Sequence, residues 1–300
     1  MYQDHDHTRA LAAPRLPRRT FLGAAAGMLA APRLVLGGGE GAGRWRMKLS
    51  ASTIEFMSLP VEEAIERIAE LGFEAVDVWS AHAGCPHLDD VANRLGAEGL
   101  VDCCKQHGVA LYALSVYKGG FPKYAELIGK SGGGVAIRGA AKACPPSELA
   151  TRMKAMLEEL KPEVELAEEH NATIALENHG GNILNSLDGL KAFLDLNTSP
   201  RLGIALAPYH LQAARISVPE AIRTVGPSLL FFYAWQHYPG LKQLPGHGPT
   251  DFKPWLAALA EVEYGGYVNP FMHGEPPPEK MAKALAKSRQ YLIDCYDKIA

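Results

Sequence analysis

Short β-rich runs alternate with amphipathic helical patterns from Met47 to the C-terminus, at the spacing of parallel strand–helix–strand units. Candidate strands fall at 48–53, 75–79, 110–117, 134–137, 173–176, 202–206, 229–235 and 267–272. Helical stripes lie between them at 60–71, 88–107, 147–170, 187–196, 218–225 and 251–261, and a closing helix is predicted at 279–299. In the first helix Val61, Ala64, Ile65 and Ile68 share one face, Pro60 suits the first turn, and Gly72 suits the position that ends it. Pro162 removes a backbone donor inside 147–170 and is expected to kink or split that helix. Residues 118–134, with their three-glycine end, read as a long loop over one mouth of the fold. Eight parallel strands with intervening helices predict a single (β/α)8 barrel, and the 254 residues from Met47 onward match its usual size of about 250. A doubly wound sheet is the competing arrangement. However, no Gly-x-Gly-x-x-Gly follows the first strand, where Thr53, Ile54, Glu55 and Phe56 stand, and no Gly-Lys-Ser/Thr loop occurs. Nucleotide chemistry is therefore disfavoured.

The first 46 residues differ from the rest. They hold seven arginines, no lysine and three acids, and an apolar run from Phe21 to Ala31 follows the pair Arg18-Arg19. That run is too short for a stable membrane span and has the layout of an export signal. Arg18-Arg19-Thr20-Phe21-Leu22 resembles the twin-arginine signal, so residues 1–46 are expected to be a leader and linker, residues 47–300 the barrel, and the protein exported to the periplasm. Without the leader the body carries a net charge of about −7, against −3 for the whole chain. An acidic body gives nucleic acid no electrostatic foothold. Five cysteines without a Cys-x-x-Cys pair are expected to be buried structural thiols.

Four consecutive predicted units in the second half end their strands in a histidine: His179, His210, His237 and His273, spaced by 31, 27 and 36 residues. In a parallel barrel such residues gather at the C-terminal mouth, where barrel enzymes do chemistry. Glu177 and His179 sit at i and i+2 at the end of the fifth strand, hence on one side of it. A carboxylate at the end of a buried strand is costly without a cation or hydrogen-bond donors.

The segment Glu177-Asn178-His179-Gly180-Gly181, with Gly72-Phe73-Glu74-Ala75-Val76-Asp77 upstream, resembles the sugar phosphate isomerase/epimerase group of xylose isomerase-like barrels, which also has an endonuclease branch. The resemblance covers the body from Lys48 to the last helix. It implies proton removal beside a carbonyl of a small carbohydrate, with a divalent metal or other electrophile holding the developing enolate oxygen and a carboxylate taking the proton. It assigns Glu177 as a metal ligand. The family's Asp-x-x-His motif corresponds to Ala207-Pro208-Tyr209-His210, which keeps the histidine and has Ala207 in place of the aspartate. A seventh-strand histidine ligand falls at Ala234 or Gln236, and an eighth-strand glutamate at Asn269 or Phe271.

Two readings follow. In one, Glu177, His210, Gln236 or His237, and His273 rebuild a nitrogen-rich divalent metal site, and Glu177, His210 and His273 carry catalysis of the isomerase, epimerase or lyase type. In the other the metal is lost and the barrel binds a carbohydrate as a periplasmic recognition module. In both, Trp79, Tyr117, Tyr209 and Trp235 are candidate walls for a sugar ring, and His179 and Asn269 candidate partners for its hydroxyls. Lys118 and Arg138 are expected to meet an anionic ligand group, His247 to contribute from the loop before the seventh helix, and His82 and His87 to lie on the surface. The acidic body and the substituted ligands disfavour the endonuclease branch.

Overall fold

A computed structural model describes residues 45–80 and 84–299. The predicted leader lies outside the described residues apart from Trp45 and Arg46, whose side chains bond to Tyr264 O (2.8 Å) and Glu74 (2.8 Å). Eight strands form one sheet: β1 (Ser50–Ser52), β2 (Ala75–Ser80), β3 (Ala110–Val116), β4 (Gly134–Gly139), β5 (Ala172–Glu177), β6 (Leu202–Leu206), β7 (Leu229–Ala234) and β8 (Val268–Pro270). They pair in parallel in sequence order, and a parallel bridge between Leu49 and Val268 joins the last strand to the first. The helices are α1 (Val61–Glu70), α2 (His87–Asp90), α3 (Gly96–Gln106), α4 (Phe121–Lys130), α5 (Leu149–Glu159), α6 (Lys161–Glu169), α7 (Leu187–Leu196), α8 (Pro208–Ala213), α9 (Val218–Val225), α10 (Lys253–Glu261) and α11 (Pro278–Tyr296). This is a single (β/α)8 barrel.

Strand alternation builds two cores. Outward residues such as Ile174, Leu176, Ile204, Leu206, Phe232 and Val268 pack against the helices, where α1 buries Val61, Ala64, Ile65 and Ile68 as its stripe predicts. Each fully buried Val, Ile, Leu or Phe among them contributes about 1.5–3 kcal/mol. Inward residues form a second cluster, with small side chains at Ala113, Ala175, Ala205 and Ala207 facing large ones at Phe231, Tyr233, Trp235 and Phe271. Gly72, at φ 79°, ends α1: its N–H bonds to Ala69 O and the next N–H, of Phe73, returns to Ile68 O. Pro162 has the predicted effect, since the fourth-unit helix breaks at Leu160 into α5 and α6.

Three expectations are corrected. Residues 118–134 are not a loop: α4 occupies most of the segment and buries Phe121, Tyr124, Ala125 and Ile128, an i, i+3, i+4, i+7 stripe. The helix expected over 88–107 is interrupted by a wide turn, Val91–Leu95, between α2 and α3. His87 is buried, 1% exposed, because α2 folds its ring inward and Nε2 donates to Leu59 O at 2.8 Å. His82 lies outside the described residues.

All five cysteines are free, with Cys85, Cys104 and Cys295 buried and the other two half-buried. Among the described residues no helix is long and apolar enough to cross a membrane. At the C-terminal mouth the loops after β4 and β5 are tied into a ribbon. Lys142 bridges Asn182 in antiparallel fashion, Ala143 N–H donates to Gly181 O, and Ile183 N–H donates to Ala141 O, both at 2.9 Å.

Candidate functional site

Glu177 closes β5 on the inward side, in phase with Ala175. Its backbone is held from two directions. Asn182 Nδ2 donates to Glu177 O at 2.7 Å, and the neighbouring Asn178 exchanges two hydrogen bonds with Ala207, accepting from its N–H at 2.6 Å and donating to its carbonyl at 3.3 Å. These asparagines extend the β5–β6 ladder past the end of the strands and fix the direction in which the carboxyl projects. Burial raises the pKa of Glu177, while the nearby His179 and a hydrogen bond from Tyr117 oppose that rise.

His210 reaches the same point from α8, directly after β6. Its Nε2 lies 3.9 Å from Glu177 Oε1, is buried, and has no hydrogen-bond partner. Burial, then the neighbouring imidazoles of His179, His273 and His237, push its pKa down to about 3. Both shifts favour neutral forms, so the 3.9 Å gap is not a strong ion pair. His179 is exposed on the ribbon loop, its ring 4.1 Å from that of His210, and its Nδ1–H donates to Gly180 O at 2.9 Å.

Around these groups stands an aromatic wall. Trp79 stacks on Phe271 (5.2 Å between ring centres) and tilts against Tyr117 (5.0 Å), while Tyr209 stacks on Trp235 at 4.3 Å. His273, in phase with Asn269 and Phe271 beyond the end of β8, meets Trp235 and Phe271 edge-on at 5.1 Å. His237 is exposed beside Tyr209, at the edge of a depression of about 670 Å³ that Tyr209, Gln212, His237, Tyr238 and Pro239 line. The structure therefore brings Glu177, His179, His210, His273, Trp79, Tyr117, Tyr209 and Trp235 to one mouth.

Gln236 and Asn269 take other roles. In β7 the inward phase belongs to Phe231, Tyr233 and Trp235, which puts Gln236 in the outward phase of Phe232 and Ala234. There its amide donates to Leu244 O at 2.8 Å and accepts from Thr250 N–H at 3.0 Å, pinning the loop after β7. Asn269 points inward but is fully buried, donating to Ser50 Oγ at 3.0 Å below the mouth.

The donor set does not fit the divalent ion that the resemblance implies. Ala207 has no donor atom, the Gln236 and Asn269 amides are engaged elsewhere, and His237 is turned to the surface. Among the described residues no three His, Cys, Asp or Glu side chains are grouped as one ion would require. Two further expectations fail on contacts. Arg138 pairs with Glu163 of α6, His247 Nε2 donates to Ala284 O of α11 at 3.1 Å, and neither reaches the histidines. Lys118 has an exposed side chain, and its backbone N–H and carbonyl bond to Ser80 Oγ.

Two buried carboxyls escape sequence reasoning. Asp77 on β2 is fully buried and accepts from Ser52 Oγ (2.8 Å), Ser115 Oγ (3.0 Å) and Trp79 Nε1, yet burial still raises its pKa to about 7. Glu55, after β1, accepts from Met272 N–H at 2.9 Å, and burial pushes it to about 8. The available signal for Asp77 was period-two polarity: Ser50, Ser52, Asp77, Ser115 and Asn269 all occupy inward positions of buried strands.

No curated protein matches the chain by sequence. Among solved structures it is similar to 3-keto-D-glucoside 4-epimerase YcjR from E. coli, with 18% identity and a TM-score of 0.65, covering 82% of this chain and 100% of that one. A D-tagatose 3-epimerase-like protein shows 17% identity and a TM-score of 0.66, covering 85% and 100% respectively. The probable 3-DHS dehydratase AsbF from Bacillus anthracis shows 15% identity and a TM-score of 0.63, covering 81% and 98%. At these identities the likeness speaks for the fold. The profile of the xylose isomerase-like TIM barrel family matches residues 65–292. With most of the barrel inside that match, the chain belongs to the xylose isomerase-like TIM barrel family.

Proposed function

We propose that this chain is a sugar isomerase- or epimerase-like enzyme that moves a proton at a carbon beside a carbonyl, with Glu177 as the base. The observation that carries this reading is the pairing of a buried strand-end carboxyl with a buried, unpartnered imidazole nitrogen 3.9 Å away. A base buried to this degree has its proton affinity raised toward the working range, which favours general base catalysis. A neutral His210 suits the second task, because an imidazole that stays uncharged donates a hydrogen bond to a developing oxyanion without giving up its proton. Trp79, Phe271, Tyr209 and Trp235 supply apolar faces for a sugar ring. The names of the similar structures, which include epimerases of free and oxidised sugars, support this substrate class. On this reading the chemistry runs on the chain's own side chains, and export through the Arg18-Arg19 leader would place it in the periplasm.

The test is hydrogen exchange in D2O. Residues 45–300 are incubated with a panel of aldoses, ketoses and keto-glycosides, and deuterium at the carbon beside the carbonyl is followed by NMR. Exchange that vanishes in Glu177→Gln supports the proposal. A second reading, a recognition module without catalysis, is favoured by Ala207 standing where the family carries a ligand. Saturable sugar binding with no exchange would establish it in place of the enzyme.

A further inference from the structure

The aromatic wall does not end at the reacting groups. Its rings are in unbroken contact: Trp79 on Phe271 at 5.2 Å, Phe271 against Trp235 at 5.1 Å, and Trp235 on Tyr209 at 4.3 Å. Beyond Tyr209 opens the depression of about 670 Å³ that Tyr209, Gln212, His237, Tyr238 and Pro239 line, within the range of about 300–1,000 Å³ usual for small-molecule sites. Tyr209 belongs to both places. One face of its ring is covered by Trp235, and its centre lies 5.3 Å from that of His210 and 4.7 Å from that of His237. The depression therefore starts one aromatic ring away from the Glu177–His210 pair. We propose that it is a subsite for a second, non-reacting and uncharged sugar ring, so that the substrate is a glycoside, a disaccharide or longer, with its reacting ring at Glu177. The assignment rests on the sugar-enzyme reading of Glu177 and names its substrate class.

Three features argue for this occupant. The first is length. A sugar ring offers one apolar face of the area of a single aromatic side chain, and Glu177 and His210 fix where the reacting ring sits, so one ring leaves the outer end of the wall uncovered. The second is the chemistry of the lining. None of the five residues is Asp, Glu, Lys or Arg, so a phosphate or carboxylate finds no permanent cation there. Two phenol rings give stacking faces, and their hydroxyls, with the His237 imidazole, give hydrogen-bonding groups for sugar hydroxyls. Among the described residues Tyr238 is the one large hydrophobic side chain left exposed, at 41%, and a stacked ring would cover it. The third is that the frame is already built. Gln212 of α8 accepts from His237 N–H at 2.8 Å and donates to Thr250 Oγ1 at 3.2 Å, and Tyr238 N–H donates to Gln236 O at 3.0 Å. Gln243 Oε1 accepts from Trp235 Nε1 at 2.8 Å and from His273 N–H at 3.1 Å. These bonds tie α8, the loop after β7 and the end of β8 together, so the cost of ordering the platform is met before a ligand arrives.

The test is binding, read without turnover. Glucose, galactose, xylose and fructose are compared with disaccharides that contain them (cellobiose, lactose, xylobiose and lactulose) by titration calorimetry and saturation-transfer NMR. Both the full-length protein and Tyr238→Ala, a substitution at an exposed side chain, are measured. At least one disaccharide should bind about tenfold or more tightly than its component sugars, with saturation reaching both rings. Tyr238→Ala should remove most of that advantage and leave monosaccharide affinity within about twofold. If no disaccharide binds more tightly than its components, the subsite is overturned while monosaccharide binding keeps the sugar reading standing. Equal weakening of both members of a pair by Tyr238→Ala also overturns the subsite. Absence of binding to every sugar overturns the sugar reading and the subsite together.

Discussion

Asp77 and Glu177 are both buried carboxyls on inward positions of the same barrel, yet their surroundings differ. Asp77 collects three donors, from Ser52, Ser115 and Trp79, and sits in a closed polar knot. Glu177 takes a hydrogen bond from Tyr117, and beside it stands a histidine nitrogen without a hydrogen-bond partner among the described residues. A carboxyl surrounded by its own protein's donors has little capacity left for a ligand. One left short of donors at a mouth has a desolvation cost that a bound molecule can relieve. The difference separates a residue that holds the barrel's interior together from one available for chemistry.

The sharpest way to break this comparison is to neutralise the open carboxyl. Glu177→Gln should cut carbonyl-adjacent deuterium exchange at least about 100-fold. Its urea midpoint should hold or rise, because the substitution removes a group that burial disfavours in its charged form. A large loss of stability would show that Glu177 is structural after all. For the closed carboxyl the opposite pattern is expected. Asp77→Ala strands three buried donors and should cost about 3 kcal/mol in urea unfolding, while Asp77→Asn, which keeps most partners, should cost about 1 kcal/mol.

The effect of pH sharpens the contrast. Asp77 and Glu55 have folded pKa values raised to about 7 and about 8 from ordinary values of 3.8 and 4.5. For an acid raised in this way the folded state holds the proton longer than the unfolded chain. Its contribution is therefore complete below the unfolded pKa and is lost as pH rises through the folded one. Stability followed by urea unfolding should fall by a few kcal/mol between pH about 4 and 8. Glu55→Gln should flatten the upper part of that fall and Asp77→Asn the lower part.

The smallest effect should come from His179. It lowers the pKa of Glu177, so His179→Ala should move the acid limb of the exchange rate to higher pH, with less than about a tenfold change at the plateau. An unmoved limb would detach His179 from the site.

Much of the barrel was legible in the sequence because strand alternation and helix stripes are local signals. The extents of α7 and α9 and the break at Pro162 were readable from apolar period and backbone chemistry alone. The helix α4 was obscured by its glycine surroundings, although Phe121, Tyr124, Ala125 and Ile128 carry the period. At the site, the gathering of Glu177, His179, His210 and His273 follows from strand ends sharing one mouth. The phase of Gln236 was not legible, since a one-residue shift exchanges inward and outward faces and only the partners Leu244 and Thr250 decide it. The Asp77 network was hidden for a different reason. Its members come from β1, β2, β3 and β8, and their contacts exist only once the barrel closes.

The ribbon between the loops after β4 and β5 bears on how fast a ligand is exchanged. His179, Gly180 and Gly181 ride on a segment anchored by paired backbone hydrogen bonds, and Gln236 pins the loop after β7, two strands farther round the mouth. With both loops fastened, capture needs no gating step on this part of the mouth. Association should depend on concentration alone, without the hyperbolic saturation that a closing lid imposes.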